Sequence, residues 1–193
     1  NVEINSESEV TVNWKTPEGS KAEIVGQTLT NKTYEVNGEN KRIVQVLVGS
    51  RIKNNTYPVK ETQIEMSLPE GAENVEVHKR WTTATNGNKE FTEQNYKVEE
   101  NKLTIRVQNV ESEGKISWQR NAQDVFIVTY ELPEETENRN ILVSGKITTY
   151  DETVLEAEIK EIPSNTVNSE EPKITQDQTS LIEPSTERGS KQI

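Results

Sequence analysis

From Glu61 to Leu68 the chain alternates strictly. Thr62, Ile64, Met66 and Leu68 fall on one face, and Glu61, Gln63, Glu65 and Ser67 on the other. A period of two predicts a strand with one side buried and one side wet. Pro69-Glu70-Gly71 stops it, because proline cannot donate to a ladder and glycine permits a tight reversal. Val75 and Val77 resume the alternation.

Similar patterns recur along most of the chain. Val10, Val12 and Trp14 predict a first strand, and Ala22 and Ile24 a short second one ending near Gly26. Thr30 to Val36 runs into Asn37-Gly38, a hairpin signal because both residues accept positive φ in a type I′ turn. Ile43 to Ile52 is nearly continuous in apolar residues, as in a central strand covered on both faces. Asn54-Asn55-Thr56 turns the chain into the strand described above. Tyr96 and Val98 lead to a reversal at Glu99–Lys102, and Leu103, Ile105 and Val107 return. Ile116 and Trp118 share a face of a short strand. Phe126, Val128, Tyr130 and Leu132 form one face of another, with Val125 and Ile127 on its reverse. Ile141 to Val143, Ile147 to Tyr150, and Leu155, Ala157 and Ile159 predict the last strands.

No window sustains a helical period, and β-branched residues are abundant. The expectation is an all-β protein: an elaborated Ig-like antiparallel β-sandwich of about ten to thirteen short strands at sandwich turn spacing. It is expected to occupy residues 1–160. Whether residues 1–40 share that sandwich or form an additional strand layer or small subdomain is not fixed by the pattern. From Glu161 to Ile193 the aromatics disappear and Ser, Thr, Glu and Gln dominate. Such a stretch buries too little apolar surface to offset its ordering entropy. It reads as a flexible, disordered acidic linker or stalk.

Composition sharpens this picture. Hydrophobic residues make up 30% of the chain, which fits a core plus a segment without one. A formal net charge of −11 opposes nucleic acid and anionic membrane surfaces as partners. No run approaches the ~20 apolar residues of a membrane span, so no membrane insertion is expected. There is no cysteine, which excludes disulfides, thiolate metal sites and thiol nucleophiles. A chain beginning at Asn1 without an initiator Met predicts a mature form or a piece of a longer protein. Abundant Asn, Lys, Glu and Ile point towards Gram-positive bacteria.

Ile43 to Leu132 resembles the Ig-like repeat modules of large bacterial surface proteins, the DUF11-like or conserved-repeat domains. The matching residues are Asn54-Asn55, Pro58-Val59-Lys60, Ile64 to Leu68, Leu68-Pro69-Glu70-Gly71-Ala72, Val75, Ile116-Ser117-Trp118 and Val128-Thr129-Tyr130. They cover about half the chain, and each is also ordinary sandwich grammar. The resemblance implies a non-enzymatic cell-surface or cell-wall module. It carries over no catalytic or ligand residue.

The chemistry-bearing residues do not assemble into a catalytic pattern. His78 is alone, whereas histidine metal sites and proton shuttles want a partner at defined spacing. Glu131, Glu134 and Glu135 flank Pro133, and Glu99 and Glu100 sit at a hairpin; solvated turns explain both. Loop carboxylates also suit calcium, but no EF-hand spacing is present. No metal, cofactor or catalytic residue is therefore assigned. Trp14 and Trp118 fall on apolar faces. Trp81, before a polar loop, and Tyr96 are the candidate ligand contacts. A Lys–Asn amide crosslink would substitute for disulfides, with Lys15, Lys60 and Lys146 as the lysines nearest apolar strands. The expected role is structural or adhesive: a secreted, extracellular spacer or protein-binding repeat, monomeric within a longer chain. Its partner would be a host or bacterial surface protein, or a glycan. The alternatives are a carbohydrate-binding sandwich, for which Trp81 and Tyr96 would supply an aromatic platform, and an Ig-like phage decoration or tail protein, which symmetric assembly would favour.

Overall fold

A computed structural model describes residues 15–53, 59–81, 91–108 and 123–165. They form nine strands and one short 3-10 turn. In chain order the strands are β1 (Ala22–Val36), β2 (Glu39–Ile52), β3 (Val59–Ser67), β4 (Glu73–Trp81) and β5 (Tyr96–Glu99). They continue as β6 (Lys102–Gln108), β7 (Gln123–Pro133), β8 (Ile141–Thr149) and β9 (Val154–Ile162). The sheet order is β4-β7-β2-β1-β9-β8-β3-β6-β5. All neighbours are antiparallel except β1 and β9, which run parallel.

The sheet folds over on itself, because no other described element covers its apolar face. One core joins Val44, Val46, Val48, Phe126, Val128 and Tyr130 from one half to Ile64, Met66, Leu103, Ile105 and Val143 from the other. A smaller cluster of Ala22, Ile52, Val59, Ile147 and Leu155 closes one end. The all-β sandwich expected from the pattern is the fold of the structure. Strand β3 keeps its predicted faces: Thr62, Ile64, Met66 and Leu68 are all buried. The predicted turns hold too. Asn37 and Gly38 both have positive φ, and Ala72 N donates to Pro69 O at 3.2 Å across the turn that Gly71 closes at φ 91°.

The strands are fewer and longer than expected among the described residues. Ala22 to Val36 is one strand of 15 residues, paired along its length with β2 in the main sheet. No proline separates its two predicted pieces, and Gly26 between them continues the strand instead of ending it. A β-bulge does mark the junction: the register shifts between Thr28 and Thr30. The shift brings Leu29 inside along with Thr28 and Thr30. A second bulge corrects the end of the chain's last strand. The β8–β9 register shifts between Val143 and Gly145. Side-chain parity along β9 therefore flips. Ile159, expected inside, is 65% exposed, whereas Ile162 is 0% exposed. The folded part thus passes Lys160. The predicted strands at Val10–Trp14 and Ile116–Trp118, and the tail beyond Asn165, lie outside the described residues.

Chain entry and exit lie at opposite ends of the sandwich. Thr16 sits against the β8–β9 turn, bonded to Asp151. After β9 has run back alongside β1, Ser164 O accepts from Asn31 Nδ2 at 2.8 Å. At ~3.3 Å per residue, the stretch from Ala22 to Asn31 covers about 30 Å.

Candidate functional surfaces

The polar face of β3 is the first surface the alternation defines. β3 lies between β6 and β8, so this face is mid-sheet. Its side chains are matched across strands. Glu61 Oε2 accepts from Arg106 Nε at 2.5 Å, and Glu65 lies 3.6 Å from Lys102 Nζ. Ser67 Oγ accepts from Leu142 N at 2.9 Å. The face is therefore internally charge-balanced. Solvent-exposed pairs of this kind fix side-chain geometry more than they stabilise the fold.

The aromatic candidates fall at opposite edges of the sheet. Trp81 ends β4, paired in register with Val125 of β7. Tyr96 opens β5, opposite Ile105 of β6. Tyr96 is half-buried, and its ring stacks on Phe91 with centroids 6.0 Å apart and planes 9° apart. Phe91 in turn meets the core ring of Phe126 at 5.3 Å. Tyr96 thus continues a run of aromatics out of the core.

His78, on edge strand β4, is exposed and 3.4 Å from Glu76. Glu131, Glu134 and Glu135 line a cleft of about 510 Å³ with Glu39 and Glu73, all acidic. Lys41 lies between Glu73 and Glu131, at 3.8 and 3.6 Å. Among the described residues no group of three or more His, Asp or Glu is placed to hold a metal ion. Lys15, Lys60 and Lys146 are all exposed, and Lys60 pairs with Glu152.

Two polar constellations went unseen in the sequence. One is in the core: Thr62 Oγ1 donates to Asp124 Oδ2 at 2.5 Å, both buried, beside buried Ser50. The other ties the entering chain to the β8–β9 turn. Thr16 N donates to Asp151 Oδ2 at 2.8 Å, and Thr16 Oγ1 to Oδ1 at 2.9 Å. Thr149 Oγ1 and Thr153 N donate to the same Oδ1 at 2.7 and 3.2 Å. The local half of this knot has a readable signature. Thr149-Tyr150-Asp151-Glu152-Thr153 is a run in which an acidic side chain can take up the turn's own donors. Its partner Thr16 is too distant in sequence to be read.

Burial pushes the Asp151 carboxyl up, but the hydrogen bonds outweigh it and hold the group well below the usual carboxylate range. A carboxylate depressed in the folded state stabilises above its unfolded pKa, and that stabilisation fades as pH falls towards the folded value. Asp151→Asn is therefore expected to lower the thermal midpoint at pH 7, with the gap to the parent narrowing below about pH 4. Thermal melts of both proteins across that range check this. A gap independent of pH would show that the charge of Asp151 contributes nothing.

No family model matches this chain, and no curated protein does. Among solved structures it is similar to the major pilin subunit BcpA of Bacillus cereus. A single-residue variant of BcpA superposes with a TM-score of 0.43 at 8% identity, covering 76% of this chain and 41% of that one. Unaltered BcpA gives 0.40 at 9%, covering 74% and 41%. A DUF4466 family protein from Parabacteroides merdae gives 0.38 at 9%, covering 77% and 46%. The chain spans less than half the length of each.

Proposed function

We propose that this chain is a non-enzymatic structural module of a bacterial cell-surface protein, a rigid spacer that holds its two flanking neighbours apart. The observation that carries the reading is the placement of entry and exit at opposite ends of a sandwich with one main core. A domain built this way adds its own length to a longer chain, and a packed core resists bending. The bonds at Thr16 and Asn31 tie down the chain just outside the terminal strands. The sequence resemblance supports a place on the bacterial surface, and the absence of cysteine and the acidic balance agree with it. An antibody raised against the folded chain is expected to label intact cells of the source organism. Brief trypsin treatment of those cells should remove the label. Labelling that requires lysis would overturn the surface reading.

A further inference from the structure

We propose that the parallel β1–β9 seam is the tension-bearing element of the module, a side-chain-locked clamp loaded in shear. The inference rests on the spacer reading, since a spacer between anchored parts transmits pull along its chain.

The chain enters before β1 and leaves after β9, and these two strands are neighbours running in the same direction. Pull on the two chain ends therefore drags β1 and β9 past each other along their length. In that direction the contacts across the seam are strained together. Had the strands been antiparallel at this point, the same pull would have opened them one contact at a time from an end.

Most of the contacts that cross the seam are made by side chains. One residue pair, Ala22 with Ala157, makes the backbone bridge. Further along, Thr28 Oγ1 donates to Pro163 O at 2.6 Å, and Asn31 Nδ2 donates to Ser164 O at 2.8 Å. Between them Ile162 lies against the backbone of Gly26. A Cβ on Gly26 would come within 2.6 Å of Ile162 Cδ1 and 2.8 Å of Leu47 O, so glycine is what lets Ile162 seat there. Outside the strands, the Thr16–Asp151 knot must break before the pull reaches β1. Hydrogen bonds and an apolar plug thus tie β1 to β9 and the two residues after it along the axis of load, and the knot guards the entry to β1.

The test is single-molecule pulling of the full chain in two geometries. Because the chain has no cysteine, single cysteines can carry the handles. One geometry pulls the two ends. The other pulls the C-terminal end against Glu100→Cys in the β5–β6 turn, which peels the sheet from its β5 edge. Forced unfolding reports the barrier crossed in each direction, so the end-to-end geometry is expected to need about twofold more force. Thr28→Val combined with Asn31→Ala should lower the end-to-end force by a larger fraction than the edge-pull force, because only the end-to-end geometry loads the whole seam in shear. Equal forces in the two geometries, or a double variant that weakens both alike, would overturn the clamp. Neither result would touch the surface reading, which the antibody experiment tests by itself.

Discussion

A chain ended at Lys160 is expected to lose about 4 kcal/mol of stability or more relative to one ended at Asn165. Ile162 is fully buried and belongs to the main core. Removing a buried Ile side chain leaves a cavity worth about 2–5 kcal/mol. The truncation also deletes the pairing of Ile141 with Ile162 and of Leu142 with Glu161. It takes away the acceptors of Thr28 and Asn31 as well, at about 1 kcal/mol for each hydrogen bond. Against a usual total of about 5–15 kcal/mol for a domain, the shorter chain stands near the edge of folding. Urea denaturation of both chains checks this, as a lower midpoint for the one ended at Lys160. Equal midpoints would show that Ile162 does not hold the two halves of the sheet together.

Phe126→Ala should be the most damaging single substitution, at about 3–5 kcal/mol. The ring is 0% exposed and belongs to the main core, whose members come from both halves of the sandwich. It also anchors Phe91, against which Tyr96 stacks. The loss should therefore spread to the β5 edge, where backbone amides of Tyr96–Glu99 would exchange with solvent faster than in the parent. Phe126→Leu, which keeps most of the volume, should cost less than half as much. Chemical denaturation gives the first quantity and hydrogen exchange the second. A Phe126→Ala protein within about 1 kcal/mol of the parent would contradict the packing of this ring.

Much of this architecture was legible because strands declare themselves locally. The alternation at Thr62–Leu68 and the doubly apolar run at Val125–Leu132 needed no tertiary information. Asn37-Gly38 and Pro69-Glu70-Gly71 marked real reversals through their backbone preferences. Parity, by contrast, failed to show. A bulge adds one residue and leaves no compositional trace, yet it exchanges the two faces of everything after it. Ile162 lies inside and Ile159 outside for that reason. The reach of β9 to Ile162 was hidden by the same effect, because Ile162 looked like one scattered apolar residue of the tail. Non-local pairings were equally silent. Nothing near Thr16 announces Asp151, and nothing in Gly26 announces that an isoleucine from the far end of the fold will seat on it. Of the candidate contacts, Tyr96 was visible as an aromatic on a strand, while its stack on Phe91 depended on the path of the intervening chain.

The β1–β9 pairing has a consequence in time as well as in space. It joins Ala22 to Ala157, near the two extremes of the described chain. Contacts of such long sequence separation make folding slow, since loop-closure entropy is spent before the contact returns anything. A chain delivered N-terminus first has β1 and β2 available early, but the contacts that Gly26, Thr28 and Asn31 make across the seam wait until Ile162, Pro163 and Ser164 arrive. The two halves of the sheet cannot be locked before then. The seam needs the last of the described strands, so its closure signals that all of them have been delivered.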